Sequence, residues 1–226
     1  ANEAVNETWL ADRDRFSYEG IYADRIEQPM IRDGGALRPA SWEEALEAAA
    51  AGVSRSVGKG NGGGLGAWAG PTSTVEEGFL LQRLLRHLGS DNLDHRLRRR
   101  DFRLQERDPV FPWVGSTLAE LEQDDAIVIV GSNLRREAPL IAHRVRKAAL
   151  RGASVSFVNP GRHEYLHPVA GYLETGLDLV GGLRRLLTDS PDAEASAILG
   201  RLRGAARPVI LLGQIAGRHP RLADLR

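Results

Sequence analysis

Residues 125–161 of the chain read DAIVIVGSNLRREAPLIAHRVRKAALRGASVSFVNPG. The run Asp125–Gly131 is apolar almost throughout, which is typical of a strand that is covered on both faces. A helical pattern follows from about Glu137 to Arg151, and Gly152 stands where helices often end with a left-handed residue. Ala153–Val158 predicts a second strand. A strand, a helix and a strand in this order predict parallel strands joined by a right-handed crossover.

The rest of the chain continues the same class of fold. Helical patterns lie near Leu177–Leu187 and Ala193–Leu202, and Pro208–Gly213 predicts a further buried strand. We therefore expect an α/β fold that is built from Rossmann-like βαβ units with parallel strands.

The first 124 residues predict smaller elements. Residues 1–40 predict short strands and turns, including a hairpin between Pro29 and Pro39. Two capping-box patterns, Ser41 with Glu44 and Ser73 with Glu76, predict helix starts. We expect three parts: a small β-rich segment (1–40), an α/β part (41–124) and a dinucleotide-binding-like βαβ part (125–226).

Composition narrows the class of protein. The 226 residues contain 30 basic and 30 acidic side chains, so no net charge attracts the chain to nucleic acid. No apolar run approaches the roughly 20 residues that span a bilayer. The chain has no cysteine, which excludes disulfides and thiolate-bound metal clusters. It starts at Ala1 rather than at methionine, and we expect it to be a piece of a longer protein.

A basic run lies between residues 95 and 107, but it does not predict a nucleic-acid site. Asp101 and Glu106 interrupt its arginines, and the overall charge is zero. A solvated or ion-paired surface is the expected structure. A contact with a partner protein and a filled former cofactor pocket remain as alternatives.

The turn Gly131-Ser132-Asn133 is the first candidate binding site. It follows a parallel strand, where open α/β sheets bind ligands. The turn lacks the G-x-G-x-x-G pattern, and the second strand ends in Asn159-Pro160 instead of an acidic residue that would hold a ribose. A structural turn and a dinucleotide site, true or vestigial, both fit this pattern.

The second candidate is His163-Glu164-Tyr165-Leu166-His167, which matches the H-E-x-x-H signature of zinc metalloproteases. That chemistry needs both histidines on one stable helix. Pro160 and Pro168 leave space for little more than one helical turn, so a surface loop is the alternative.

The stretch Asn6–Phe16, with the sequence NETWLADRDRF, carries a family resemblance. It resembles the end of the iron–sulfur segment in the large peripheral-arm subunit, the G subunit, of bacterial NADH–quinone oxidoreductase (respiratory complex I). The resemblance places Ala11 where some members have a cysteine ligand of a [4Fe–4S] cluster. Alanine has no thiolate, so that cluster is not expected here.

Residues 125–160 are similar to the molybdopterin oxidoreductase superfamily, which includes formate dehydrogenases. The resemblance implies that superfamily's fold, in partial form, and makes Gly131–Asn133 the counterpart of a loop that contacts a pterin dinucleotide. The run Arg86–Asp94 is similar as well. In catalytic relatives a molybdenum ligand follows it shortly. Here that region holds Arg98, Arg99 and Arg100, and arginine is a poor metal ligand.

The resemblance implies a non-catalytic scaffold part of complex I. In the parent subunit, [2Fe–2S] and [4Fe–4S] clusters carry electrons from NADH and flavin toward quinone, coupled to proton translocation. The implied partners are other peripheral-arm subunits, on the cytoplasmic side of the bacterial inner membrane. The chain itself is not expected to span the membrane or to bind nucleic acid. No cofactor is expected in this chain. A zinc-dependent hydrolase that uses His163, Glu164 and His167, or a catalytic molybdopterin oxidoreductase, are the alternatives.

Overall fold

The computed structural model describes residues 2–58, 63–95, 101–108, 115–188 and 192–226. The chain forms two compact units. We call Ser17–Arg98 the small unit, and Ala1–Phe16 together with Arg99–Arg226 the sheet unit. The functional boundaries that we expect near residues 40 and 124 stay predictions.

The chain begins with helical turns instead of strands. Helices α1 (Glu3–Asn6) and α2 (Asp12–Phe16) belong to the sheet unit. In both, acidic residues lie in the first turn, where a helix stabilises negative charge. The strands that we expected over residues 1–40 are therefore confined to the hairpin.

The small unit contains the predicted hairpin. Its elements are α3 (Glu19–Tyr22), β1 (Met30–Asp33), β2 (Ala36–Pro39), α4 (Trp42–Val57), β3 (Ala67–Trp68), α5 (Val75–His87) and β4 (Leu93–Asp94). Strands β1 and β2 are antiparallel, and β3 and β4 are parallel. Gly34 and Gly35 connect the hairpin with φ angles of 57° and 90°, which suit a tight two-residue turn.

Both predicted helix starts are close to the observed ones. Ser41 accepts a hydrogen bond from the Glu44 backbone N–H at 3.1 Å, as predicted. The Glu44 carboxylate does not complete the box, because it pairs with Arg38 at 2.6 Å. The second capping box lies one residue later than predicted, between Thr74 and Glu77.

Substitutions at the second helix start test this shift. Thr74→Ala is expected to lower the free energy of unfolding by about 1 kcal/mol, because it removes the acceptor for the Glu77 N–H. Ser73→Ala removes no cap and is expected to change the free energy of unfolding by less than about 0.5 kcal/mol. Thermal denaturation followed by circular dichroism measures both. A larger loss of stability for Ser73→Ala than for Thr74→Ala would show that Ser73 is the N-cap, as the sequence predicted.

The sheet unit confirms the predicted parallel α/β fold. Its helices and strands after α2 are β5 (Ala126–Val130), α6 (Leu134–Glu137), α7 (Pro139–Leu150), β6 (Ser154–Asn159), β7 (Gly171–Glu174), α8 (Leu179–Leu187), α9 (Ala193–Gly204), β8 (Pro208–Leu212) and α10 (Gln214–Gly217). Short 3₁₀ turns cover Gln105–Arg107, Glu120–Gln123 and Leu222–Asp224. All four strands are parallel, in the order β7-β6-β5-β8.

Two features of this unit differ from the sequence prediction. Strand β7 was not predicted, because its four residues are few for a periodic pattern. The helix expected from about Glu137 to Arg151 begins at Pro139 as α7, because the non-helical backbone of Ala138 separates it from the unpredicted helix α6.

The core lies on both faces of the sheet. On one face Val128 and Val130 of β5 pack with Leu179 of α8 and Ile198 of α9. On the other, Ile127 and Ile129 pack with a second cluster that includes Val145, Ala148 and Phe157. Alternate residues of β5 thus serve opposite faces, as the continuous apolar run predicted. In the described ranges, no helix is long and apolar enough to cross a bilayer.

Candidate functional site

The turn Gly131–Asn133 lies where the strand order reverses. After β5 the chain proceeds to β6 on one side, whereas β8 lies on the other side of β5. In open α/β sheets, ligands bind at the carboxyl ends of two such strands. The predicted candidate residues are therefore in the right place for a binding site.

The chain itself fills this position. The Gly131 carbonyl accepts hydrogen bonds from the N–H groups of Ile215 (2.9 Å) and Ala216 (3.2 Å) at the start of α10. Gly131 has a φ of 61°, and a Cβ atom there would lie 2.6 Å from the Ala216 nitrogen. Helix α10 therefore packs directly on the turn, and glycine permits both the conformation and the approach.

Buried side chains use the polar groups of Ser132. Its N–H donates to Asn159 Oδ1 at 2.8 Å, and Asn159 Nδ2 donates to its carbonyl at 3.0 Å. The Ser132 hydroxyl donates to the Glu137 carboxylate at 2.6 Å. The other oxygen of this carboxylate accepts from the Gln214 N–H, also at 2.6 Å. Glu137 thus places a negative charge between the turn and α10.

The N–H groups of Gly131, Ser132 and Gln214 are not free to bind the pyrophosphate of a dinucleotide. Such a ligand needs free backbone N–H groups and space beside them. The Gly131 N–H donates to the Val158 carbonyl, and those of Ser132 and Gln214 have the partners described above. A phosphate there would also meet the Glu137 carboxylate, which repels it.

Asn159 provides a test of this turn. It is fully buried, and Asn159→Ala leaves the Ser132 N–H and carbonyl without these partners. We expect a loss of about 2–3 kcal/mol in the free energy of unfolding, measured by urea denaturation. Ser154→Ala is the control, because the buried Ser154 hydroxyl has no hydrogen-bond partner among the described residues. If Ser154→Ala lowered the free energy of unfolding as much as Asn159→Ala, the hydrogen bonds between Asn159 and Ser132 would add no stability of their own.

A polar cavity lies beside the closed turn and begins at Asn133. Its volume is about 380 Å³, and Arg135, Arg136 and Arg162 line it together with His163 and Glu164. The Arg162 guanidinium lies 5.0 Å above the ring of Tyr172. This cavity is the part of the edge that stays open beside the closed turn.

The H-E-x-x-H motif has the wrong geometry for zinc. Residues 161–170 form a loop and contain no helix, so His163 and His167 do not lie one helical turn apart. The His163 N–H donates to the Tyr172 hydroxyl, and His167 Nδ1 lies 2.9 Å from the Pro168 carbonyl. Among the residues that the structure describes, no three potential metal-ligating side chains form a group.

The resemblance places a cluster ligand at Ala11 and a molybdenum ligand near residues 98–100, and the structure describes the first of these positions but not the second. Ala11 is buried, with 8% of its surface exposed, and its carbonyl begins α2 by accepting from Asp14 and Arg15. Arg98, Arg99 and Arg100 lie outside the described residues. Later in the basic run, Arg103 forms ion pairs with Asp101 (2.8 Å) and Asp224 (3.1 Å).

An ion cluster with two buried members, Glu122 and Arg144, holds the N-terminal segment against α7, and it was not predicted from the sequence. We call Glu7, Glu122, Arg144 and Lys147 the ion cluster. Lys147 Nζ lies 2.5 Å from Glu7 and 2.7 Å from Glu122, and Arg144 contacts both carboxylates. Arg144 lies three residues after Ile141 and four before Ala148, so it shares the apolar face of their helix. A charged residue on an apolar face was the sequence pattern that could have indicated a buried ion pair.

The ion cluster keeps its carboxylates charged. Burial alone raises the pKa of Glu122, but hydrogen bonds from Lys147 and Arg144 outweigh burial and lower the pKa to about 2. The hydrogen bond from Lys147 likewise lowers the pKa of Glu7. The cluster therefore joins residues more than 100 positions apart by charge that persists at neutral pH.

Comparison with known proteins identifies the family. A family model described as Molybdopterin oxidoreductase matches residues 25–214. The chain belongs to the molybdopterin oxidoreductase family. This confirms the fold that the sequence resemblance implied, with its parallel sheet and small antiparallel hairpin.

Within the molybdopterin oxidoreductase family, the chain is similar to subunits of one respiratory enzyme. It is 35% identical over 158 residues to the NADH-quinone oxidoreductase G subunit of Rickettsia bellii, covering 68% of this chain and 22% of that one. The G subunit of the Rickettsia conorii enzyme is 37% identical, with 68% and 23% covered. The NADH-ubiquinone oxidoreductase 75 kDa subunit of Reclinomonas americana is 30% identical, with 70% and 24% covered. The chain thus spans about a fifth to a quarter of the length of these relatives.

Proposed function

We propose that this chain is a cofactor-free scaffold part of the G subunit of an NADH–quinone oxidoreductase. The names of its relatives support the assignment to this enzyme. The closed turn at Gly131 supports the scaffold role more than any other feature. A family member whose turn holds α10 and the Glu137 carboxylate has no place there for the pterin dinucleotide of a molybdenum enzyme.

The scaffold role is consistent with the distribution of ligands. The chain has no cysteine, so the [2Fe–2S] and [4Fe–4S] clusters lie in other parts of the parent subunit. Those clusters carry electrons from NADH and flavin toward quinone, with coupled proton translocation. A packed body without a redox centre fixes the neighbouring parts in position and adds no site where electrons leave the path.

The ion cluster gives this scaffold a mechanical role. It holds residues 3–7 on α7, and this segment includes the start of the run Asn6–Phe16 that resembles the end of an iron–sulfur segment. A segment held in this way keeps what precedes it at a fixed place relative to the parallel sheet. The partners are the other peripheral-arm subunits, on the cytoplasmic side of the bacterial inner membrane.

Co-purification tests the assignment to the complex. An affinity tag on the gene product in its source organism is expected to recover NADH–quinone oxidoreductase activity from solubilised membranes. An untagged strain that is processed in parallel controls for carry-over. Recovery of the tagged protein without that activity would refute the assignment.

Elemental analysis tests the scaffold role separately. The purified 226-residue chain is expected to hold less than about 0.1 iron, molybdenum or zinc per chain. It has no cysteine to supply a thiolate, and its described residues contain no pair of histidines on one helix. Stoichiometric molybdenum would favour the catalytic alternative. Stoichiometric zinc that disappears in His163→Ala would favour the hydrolase.

A further inference from the structure

A cavity of about 230 Å³ lies between α7 and the loop that follows β6. Leu134, Ala142 and the ring of Tyr165 give it an apolar surface. The Tyr165 ring stacks on the buried ring of Phe157, with the ring centroids 4.0 Å apart, so this surface is fixed in place. Burial raises the pKa of Tyr165 to about 12, and the hydroxyl therefore adds no negative charge.

The two arginines among the lining residues of this cavity are its permanently charged groups. Arg135, Arg146, His143 and His167 line it, and none of its lining residues is acidic. The Arg135 guanidinium donates one hydrogen bond to the Glu164 carbonyl, at 3.1 Å. Arg146 is exposed and makes no ion pair with any residue in the described ranges. Two guanidinium groups therefore face a mainly apolar recess without a carboxylate of their own.

This combination selects a particular chemistry of ligand. A guanidinium binds a carboxylate through two parallel hydrogen bonds, and the apolar surface favours a ligand with an aliphatic or aromatic body. The volume is below the ~300 Å³ at which drug-sized sites begin, so the cavity suits a ligand smaller than a drug-sized molecule. Inorganic anions match the charges but leave the apolar surface uncovered.

We propose that this cavity binds a small organic carboxylate, with the carboxylate on Arg146 and Arg135 and an apolar body against Leu134, Ala142 and Tyr165. His143, which also lines the cavity, has its Nε2 atom 3.2 Å from the Glu7 carboxylate. That contact fixes one side of the cavity from the N-terminal segment. The assignment stands on the cavity alone and does not depend on membership of a respiratory complex.

Phenylacetate, which has about ten non-hydrogen atoms, is a suitable probe. Titration of the 226-residue chain, followed by NMR or calorimetry, is expected to give a dissociation constant of about 1 mM or tighter. Phenylacetamide has the same shape without the charge and is expected to bind at least about tenfold more weakly. Inorganic phosphate is expected not to compete at about 10 mM.

Variants locate the binding. Arg146→Ala is expected to weaken phenylacetate binding about tenfold, and Arg201→Ala, at an exposed position on α9, to leave it unchanged. Ala142→Trp fills the recess and is expected to abolish binding, with folding checked by circular dichroism. Equal binding of the amide, competition by phosphate, or unchanged affinity in Arg146→Ala would each overturn the assignment.

Discussion

Glu122→Gln is expected to lower the free energy of unfolding of the sheet unit by about 3 kcal/mol. Glu122 exposes 7% of its side chain and accepts from Lys147 (2.7 Å) and Arg151 (2.9 Å) as well as Arg144. The substitution leaves the buried Arg144 with Glu7 as its one remaining carboxylate in the ion cluster. Removing one partner of a buried pair is costly because the remaining charge stays away from water. Urea denaturation at pH 7 measures the loss.

Asp14→Asn is the matched control in the same unit. Asp14 lies 3.5 Å from Arg13, and both side chains are more than half exposed. An exposed pair contributes little, so the expected change is below about 1 kcal/mol. Equal losses in the two variants would show that burial adds nothing to the ion cluster.

The pH dependence of stability gives an independent measure of the same group. The folded-state pKa of Glu122 is about 2, below its ordinary value of 4.5. A carboxyl with a lowered folded-state pKa stabilises fully above its unfolded pKa, and this contribution is lost as the pH falls from 4.5 toward 2. The loss from Glu122 amounts to about 3 kcal/mol. The stability difference between wild type and Glu122→Gln is therefore expected to shrink between pH 4.5 and pH 2.5, and a constant difference would contradict it.

Local patterns were enough to predict three of the four strands of the parallel sheet, but not the contacts at its edge. Ala126–Val130 is apolar on both faces, and this pattern is typical of a covered parallel strand. The Ser73 and Thr74 positions offer equivalent hydroxyls, and the sequence does not distinguish which one caps α5. Strand β7 is too short for periodicity to detect.

The ion cluster and the closure of the turn depend on contacts between distant residues. Glu7 meets Lys147 across 140 positions, and no short-range pattern contains both. The turn Gly131–Asn133 receives α10, which follows it by about 80 residues and has only four of its own. The sequence therefore left open whether the turn was structural or a dinucleotide site, because the helix that packs on it follows a different strand, β8.

Gly131→Ala is expected to lower the free energy of unfolding by at least about 3 kcal/mol. Two effects contribute. A φ of 61° is in the left-handed region, which costs an alanine about 1 kcal/mol. The added Cβ would also lie 2.6 Å from the Ala216 nitrogen and 2.8 Å from its Cβ, so α10 has to move or the turn has to distort.

Gly176→Ala separates these two effects. Gly176 has nearly the same φ, 59°, but a Cβ there meets nothing within 4 Å. Its expected loss is the conformational cost alone, about 1 kcal/mol. Urea denaturation of both variants, under the same conditions, gives the contribution of the close approach as a difference in which the backbone strain cancels.

The size of that difference bears directly on the scaffold role. A difference of about 2 kcal/mol or more means that α10 is held on the turn in solution, because an unattached helix would simply move aside. Helix α10 then occupies the position where a dinucleotide would bind, and displacing it lowers the stability of the fold. Equal losses in the two variants would mean that α10 yields without cost, and the edge would then be accessible to a ligand that displaces both α10 and the Glu137 carboxylate.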